Sequence, residues 1–146
     1  MVLSFELILK FIRKYRKVFQ RYVYECTLKE IMKFNANDFY LGTTEDNLVG
    51  LFLSYSKKLS KASNKEICGN VVHLIWNIAT FTTDYLCPSC QESNLRISSS
   101  TDHNHIYETC DNCLTTFENG EFVERPDEMI PATKKEVDDF LINAKQ

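Results

Sequence analysis

The sequence predicts an α+β protein: an N-terminal helical bundle, then a small β-rich lobe, then a final helix. Three observations carry that reading. Apolar residues recur at three- and four-residue steps as far as about Leu86, the period of an amphipathic helix. Beyond Cys87 the pattern changes to the two-residue alternation of half-buried strands. Near the end, Thr133-Lys134-Lys135-Glu136 has the form of a helix-opening capping box. The expected divisions are residues 1–84 for the bundle, 85–125 for the β-rich lobe, and 126–146 for a linker and the last helix.

In residues 2–24, Leu3, Leu7, Phe11, Tyr15, Val18 and Tyr22 step at helical spacing. Lys10, Arg13, Lys14, Arg16, Lys17 and Arg21 fall mostly between them. A membrane-surface helix or a target-peptide helix has this look. The preferred reading is a first core helix with a solvated basic face and its aromatic residues committed to the core. No apolar run approaches the roughly 18 residues that span a bilayer, and Lys10 interrupts any secretory h-region.

Thr27-Leu28-Lys29-Glu30 reads as a capping box that opens a short helix to about Phe34. A turn-rich stretch ends at Gly42. A third helix is expected over residues 44–61, with Leu48, Leu51, Phe52 and Tyr55 on one face. Ser63-Asn64-Lys65-Glu66, a second capping box, opens the longest apolar segment, residues 67–86. That segment is read as the bundle's central helix, running straight into Cys87. His73 within it is assigned no catalytic role. Cys26 and Cys68 lie in apolar-periodic segments and are expected to be buried free thiols.

Strands are expected at Leu95-Arg96-Ile97-Ser98 and His105-Ile106-Tyr107-Glu108, joined by a polar turn. Leu114-Thr115-Thr116-Phe117 and Glu121-Phe122-Val123 flank Asn119-Gly120, a strong hairpin signal. Pro126 and Pro131 bracket an extended linker, and Val137, Phe140, Leu141 and Ala144 form the apolar edge of the last helix.

Chemistry concentrates at Cys87-Pro88-Ser89-Cys90 and, nineteen residues on, Cys110-Asp111-Asn112-Cys113. Two Cys-x-x-Cys pairs at this separation can place four thiolates about 2.3 Å from one tetrahedral Zn²⁺. A closed four-thiolate shell leaves no position for water, so the expected ion is structural. A redox Cys-Pro-x-Cys would open an apolar helix, which Gln91-Glu92-Ser93-Asn94 does not do. His103 and His105, between the pairs, are alternative ligands, though surface positions suit them better.

The composition narrows the function further. Only four glycines occur, none spaced for a dinucleotide or phosphate loop. Metalloprotease, serine-hydrolase and zinc-deaminase signatures are absent, so the chain is read as non-enzymatic. The metal-type cysteine spacing suits a reducing compartment, with the cytoplasm as the expected location. The net charge of −3 hides a division. Residues 1–83 carry twelve Lys/Arg against seven Asp/Glu, while residues 84–130 carry two against ten. Affinity for a polyphosphate comes chiefly from Lys and Arg, so the acidic lobe disfavours nucleic acid and suits a basic protein surface.

The two cysteine knuckles resemble those of the zinc-ribbon superfamily over about residues 85–125. The resemblance implies Cys87, Cys90, Cys110 and Cys113 as ligands. It departs after the second cysteine of each pair, where many ribbons have glycine and this chain has Gln91 and Leu114. In size, acidity and lack of catalytic apparatus the whole chain looks like an immunity protein of contact-dependent growth inhibition. That resemblance implies a cognate toxin domain, commonly a basic nuclease, as partner. Glu118, Glu121, Glu124, Asp127 and Glu128 are the acids expected to meet it, with no membrane involved. The alternative is a zinc-ribbon factor that touches nucleic acid through the basic helix.

Overall fold

A computed structural model describes residues 2–42 and 62–144, so the helix expected over residues 44–61 lies outside the described residues. The architecture is α+β, with N-terminal helices, a six-stranded antiparallel sheet and a C-terminal helix. No helix among the described residues is long and apolar enough to cross a membrane.

Helix α1 (Val2–Lys14) buries Phe5, Ile8, Leu9 and Ile12. The stripe read from the sequence lies on its other side: Leu3 is 77% exposed and Leu7 59%, and Phe11 and Tyr15 are also exposed. Both stripes have helical spacing. The Leu3–Leu7 side also carries Lys10 and Lys14, whose ammonium groups resist burial, so the uncharged stripe takes the core. After a break at Tyr15 a short turn, α2 (Arg16–Phe19), buries Phe19. Tyr22 and Tyr24 stay exposed, so the aromatic residues of residues 2–24 are only partly committed to the core.

Helix α3 (Glu25–Lys33) starts two residues before the expected cap, and Thr27 lies inside its first turn. The backbone amide and hydroxyl of Thr27 both donate to Glu128 Oε2, at 3.1 and 2.8 Å. The first amides of a helix lack internal partners and favour a negative charge, and here a carboxylate from the far end of the chain supplies it. Glu30 bonds Lys33 and His103 in place of a cap. At the other end of α3, the Arg13 guanidinium donates to Phe34 O at 2.8 Å, tying α1 to α3. Cys26, expected to be buried, is exposed at the start of α3, whereas Cys68 is buried.

Helix α4 (Asn64–Ala79) opens with the expected capping box, Ser63 and Glu66 each bonding the other's backbone. It stops at Ala79, seven residues short of the expected end, and residues Phe81–Leu86 form strand β1. Thr80-Phe81-Thr82-Thr83 explains the early stop. Branched and aromatic side chains lose rotamer freedom against a preceding helical turn and fit a pleated surface better. The division expected at residues 84/85 therefore falls within β1. His73 is exposed on α4.

Strands β2 (Asn94–Ser99), β3 (Ile106–Cys110), β4 (Thr116–Glu118) and β5 (Glu121–Val123) continue from β1 as an antiparallel meander, while β6 (Ile130–Pro131) pairs with the far end of β2. Asn119 and Gly120, both left-handed, turn β4 into β5 as their sequence demands. Between Thr82 and Leu86 the β1–β2 register slips. Thr83 fills the gap, its hydroxyl accepting from the Leu95 amide at 3.2 Å and its carbonyl from Asn94 Nδ2 at 2.8 Å.

Three apolar clusters hold these layers. The largest joins α1 to α4 and includes Ile130 of β6, so the sheet edge is anchored in the helical core. A second packs Ile97 against Ala132 and against Val137 on helix α5 (Lys134–Asn143), which opens just after Ala132 with the expected Thr133–Glu136 capping box. The third surrounds the cysteines. His103, at the tip of the β2–β3 turn, bridges elements far apart in sequence: Nδ1 lies 2.8 Å from Glu136 Oε1 and Nε2 3.2 Å from Glu30 Oε2.

That bridge makes stability depend on pH. Burial lowers the His103 pKa, but Glu136 and Glu30 outweigh it and the net shift is upward from 6.5. Glu30 and Glu136 move down from 4.5 although burial opposes it, drawn down chiefly by Lys33 and by the Thr133 amide respectively, with His103 adding to both. A raised basic group stabilises the fold below its unfolded pKa and stops doing so as pH rises through its folded value; lowered acids do the reverse. The contribution of the bridge is therefore fullest between 4.5 and 6.5. Melting temperature should fall as pH rises above 6.5 and through the raised folded value of His103. His103→Gln should flatten that slope, and an unchanged slope would show that His103 does not carry it.

Candidate metal centre

In an antiparallel meander the β1–β2 and β3–β4 turns fall at the same end of the sheet. Cys87 follows β1 and Cys90 sits in the turn after it; Cys110 ends β3 and Cys113 sits in the next turn. The fold thereby brings together four side chains that the sequence holds in two separate pairs. The two turns are built alike. Gln91 N–H donates to Cys87 O at 2.9 Å and Leu114 N–H to Cys110 O at 3.0 Å. Cys87 N–H donates to Ser93 O at 2.8 Å and Cys110 N–H to Thr115 O at 3.0 Å.

Closing each turn requires a left-handed residue after its second cysteine. Gln91 (φ 58°) and Leu114 (φ 61°) both adopt it. This is the position where glycine was missed from the expected pattern, so the knuckle geometry survives its absence. Each side chain pays roughly 1 kcal/mol for that conformation.

All four Sγ atoms lie within 4.8 Å of one another. Cys87 and Cys113 approach to 3.7 Å, and Cys90 and Cys110 to 3.6 Å. A tetrahedral ion with metal–sulfur bonds of about 2.3 Å sets its sulfurs about 3.8 Å apart. The residues present therefore fit a single four-coordinate ion, and the cluster can hold one. None of the four cysteines is in a disulfide.

The surroundings favour thiolate at Cys110 and Cys113 more than at Cys87. Burial raises the Cys110 thiol, but the Cys113 amide, the Ser93 hydroxyl and the Asn112 amide outweigh it and bring it down to about 6. Ser93 Oγ sits 3.1 Å from Cys110 Sγ. The Thr115 hydroxyl, 3.0 Å from Cys113 Sγ, and its amide lower Cys113. Cys87, fully buried, is pushed up to about 11 by burial. Four thiolates this close cannot all ionise without a cation among them. Leu95 and Phe117 pack around Cys87 and Cys110, giving this end of the sheet a small core of its own. Across the knuckles Arg96 bonds Asp111, and Asn112 bonds Glu92.

The histidines stand apart from the sulfurs. His103 bridges Glu30 and Glu136, and His105 Nδ1 lies 2.7 Å from Glu118 Oε1. Of the five acids singled out in the sequence, Glu121, Glu124 and Asp127 are exposed. Glu118 is half-buried against His105, and Glu128 is half-buried at the α3 cap. Ser93 and Thr115, whose hydroxyls touch the sulfurs, went unread in the sequence. Their signal was a hydroxyl two or three residues past each second cysteine.

Protein purified without added metal should carry one metal ion per chain by elemental analysis. Changing Cys87→Ser and Cys110→Ser together removes a ligand from each knuckle and should abolish that content. Metal retained in the double variant would contradict the ligand assignment.

No protein-family model matches this chain, and neither a curated protein nor a solved structure matches it, so its own geometry carries the assignment.

Proposed function

We propose that the chain is a non-enzymatic protein-binding protein, stapled by one structural Zn²⁺, whose acidic hairpin meets a basic protein partner. Thiolate-only ligation suits zinc among the common divalent ions, and a closed shell gives it no reaction to perform. The observation that carries the binding role is the β4–β5 hairpin. There Glu118 stands directly opposite Glu121 across the strands. Like charges in that position destabilise the hairpin, and only Glu118 has a basic neighbour, His105, among the described residues. Next to Glu121 on the edge strand, Phe122 is 73% exposed, on the sheet face shared with its partner Phe117.

An exposed aromatic on a hairpin that also carries carboxylates suits a cationic surface, since aromatic residues dominate binding hot spots and charge speeds encounter. The partner we infer is a cognate toxin domain, basic as nucleases commonly are, which the chain binds and neutralises in the manner of an immunity protein. Glu121 and Glu124 steer that encounter, while Glu128 is occupied in holding α3.

The test is association with a basic nuclease toxin domain, taken from any such domain found encoded beside this gene, followed across a salt series. Glu121→Lys with Glu124→Lys should slow association at least tenfold at low salt, and Phe122→Ala should speed dissociation. The metal content should be unchanged in both variants. Absence of binding to that domain, or binding indifferent to all three changes, would overturn the proposal.

A further inference from the structure

The outward side of α1 has no role in the hairpin's proposed function. Along a helix, positions three and four apart share a side, which places Leu3, Leu7, Lys10, Phe11 and Lys14 together, opposite the buried Phe5, Ile8, Leu9 and Ile12. Leu3 is 77%, Leu7 59% and Phe11 40% exposed. The first half of this side is alkyl and the second half is cationic. Tyr15 continues it, with Lys14 Nζ 5.4 Å above its ring and Phe11 4.8 Å away. Arg16, Lys17 and Arg21 follow, all exposed.

Among the described residues no carboxylate lies within ion-pair distance of these cations, though Glu25 lines the same groove as Arg16. The one acid in residues 2–24, Glu6, is half-buried and accepts from the Ala36 amide at 2.9 Å. Arg13 is likewise turned to the backbone of α3. What remains is a strip of leucine and aromatic side chains beside lysines free to extend.

We infer that this face of α1 docks on an anionic lipid surface. Leucine side chains gain nothing from phosphates or stacked bases, but they partition into the acyl–headgroup boundary. Lysine stems lie along such apolar surface while their ammonium groups reach anionic headgroups. Phe11 and Tyr15 suit the same boundary, where aromatic rings concentrate. The attachment is peripheral and reversible, because α1 keeps its opposite side in the protein core. It places the basic helix at the membrane and leaves the acidic hairpin, repelled by the same headgroups, for the protein partner.

The test is co-sedimentation of the full chain with vesicles of phosphatidylcholine alone and of phosphatidylcholine mixed with phosphatidylserine, with mixed tRNA as a competitor. Binding should require phosphatidylserine and weaken with salt. Lys10→Gln with Lys14→Gln should lower the partition coefficient roughly tenfold or more. Leu3→Ser with Leu7→Ser should lower it by at least as much. Because all four positions are exposed, an unchanged melting temperature separates lost docking from lost folding. Four results would overturn the inference: no binding to the mixed vesicles at low salt, binding that ignores the leucines, tRNA bound in preference to vesicles, or self-association through Leu3 and Leu7.

Discussion

The convergence of four sulfurs at one end of the sheet is the constraint on which the β-rich half depends. β4 and β5 are three residues each, and the apolar cluster at that end comprises little beyond Leu95, Phe117 and the cysteines themselves. Short strands over so small a core cannot offset their conformational entropy unaided. A metal–thiolate bond set can, because the binding energy of a structural ion is folding energy. The cost accepted for that staple is visible in Gln91 and Leu114, held left-handed without glycine's freedom.

Away from the cysteine cluster, distant segments are held by polar contacts that span the chain. Glu128 caps α3 from a hundred residues away, and His103 joins α3 to α5 through two carboxylates. Ile130 of β6 inserts a piece of the sheet into the helical core. The helices and the cysteine-bearing end therefore have separate apolar cores but a shared seam. The charge division follows the same geography: cations line the outer side of α1, and carboxylates line the β4–β5 hairpin.

Local signals were legible in the sequence. The cysteine spacing, the Asn119-Gly120 turn, and the caps at Ser63 and Thr133 each depend on a few neighbouring residues, and each stands where the sequence put it. β2 and β3 form as strands, though Tyr107 to Cys110 are buried in succession and do not alternate. The misreadings share a different cause. Thr27 and Glu30 satisfy the capping pattern, but a remote carboxylate competes for the same amides, and no local pattern contains it. On α1 two stripes have the same period, and packing chose the one free of lysine. At the end of α4, apolar side chains recur on both sides of the helix–strand junction, so hydrophobicity alone concealed the change that Thr80 and Thr82 mark. The acids of the last hairpin looked equivalent by charge, yet only the folded chain separates Glu128, which supports a helix, from the exposed Glu121 and Glu124.

If a closed thiolate shell is the staple, its signature is the ion's own coordination. X-ray absorption at the zinc edge of the purified protein measures it directly. The account predicts four sulfur scatterers at about 2.3 Å and no shorter shell. A nitrogen or oxygen scatterer near 2.0–2.1 Å would mean a histidine or water in the shell, and would contradict a closed, purely structural site.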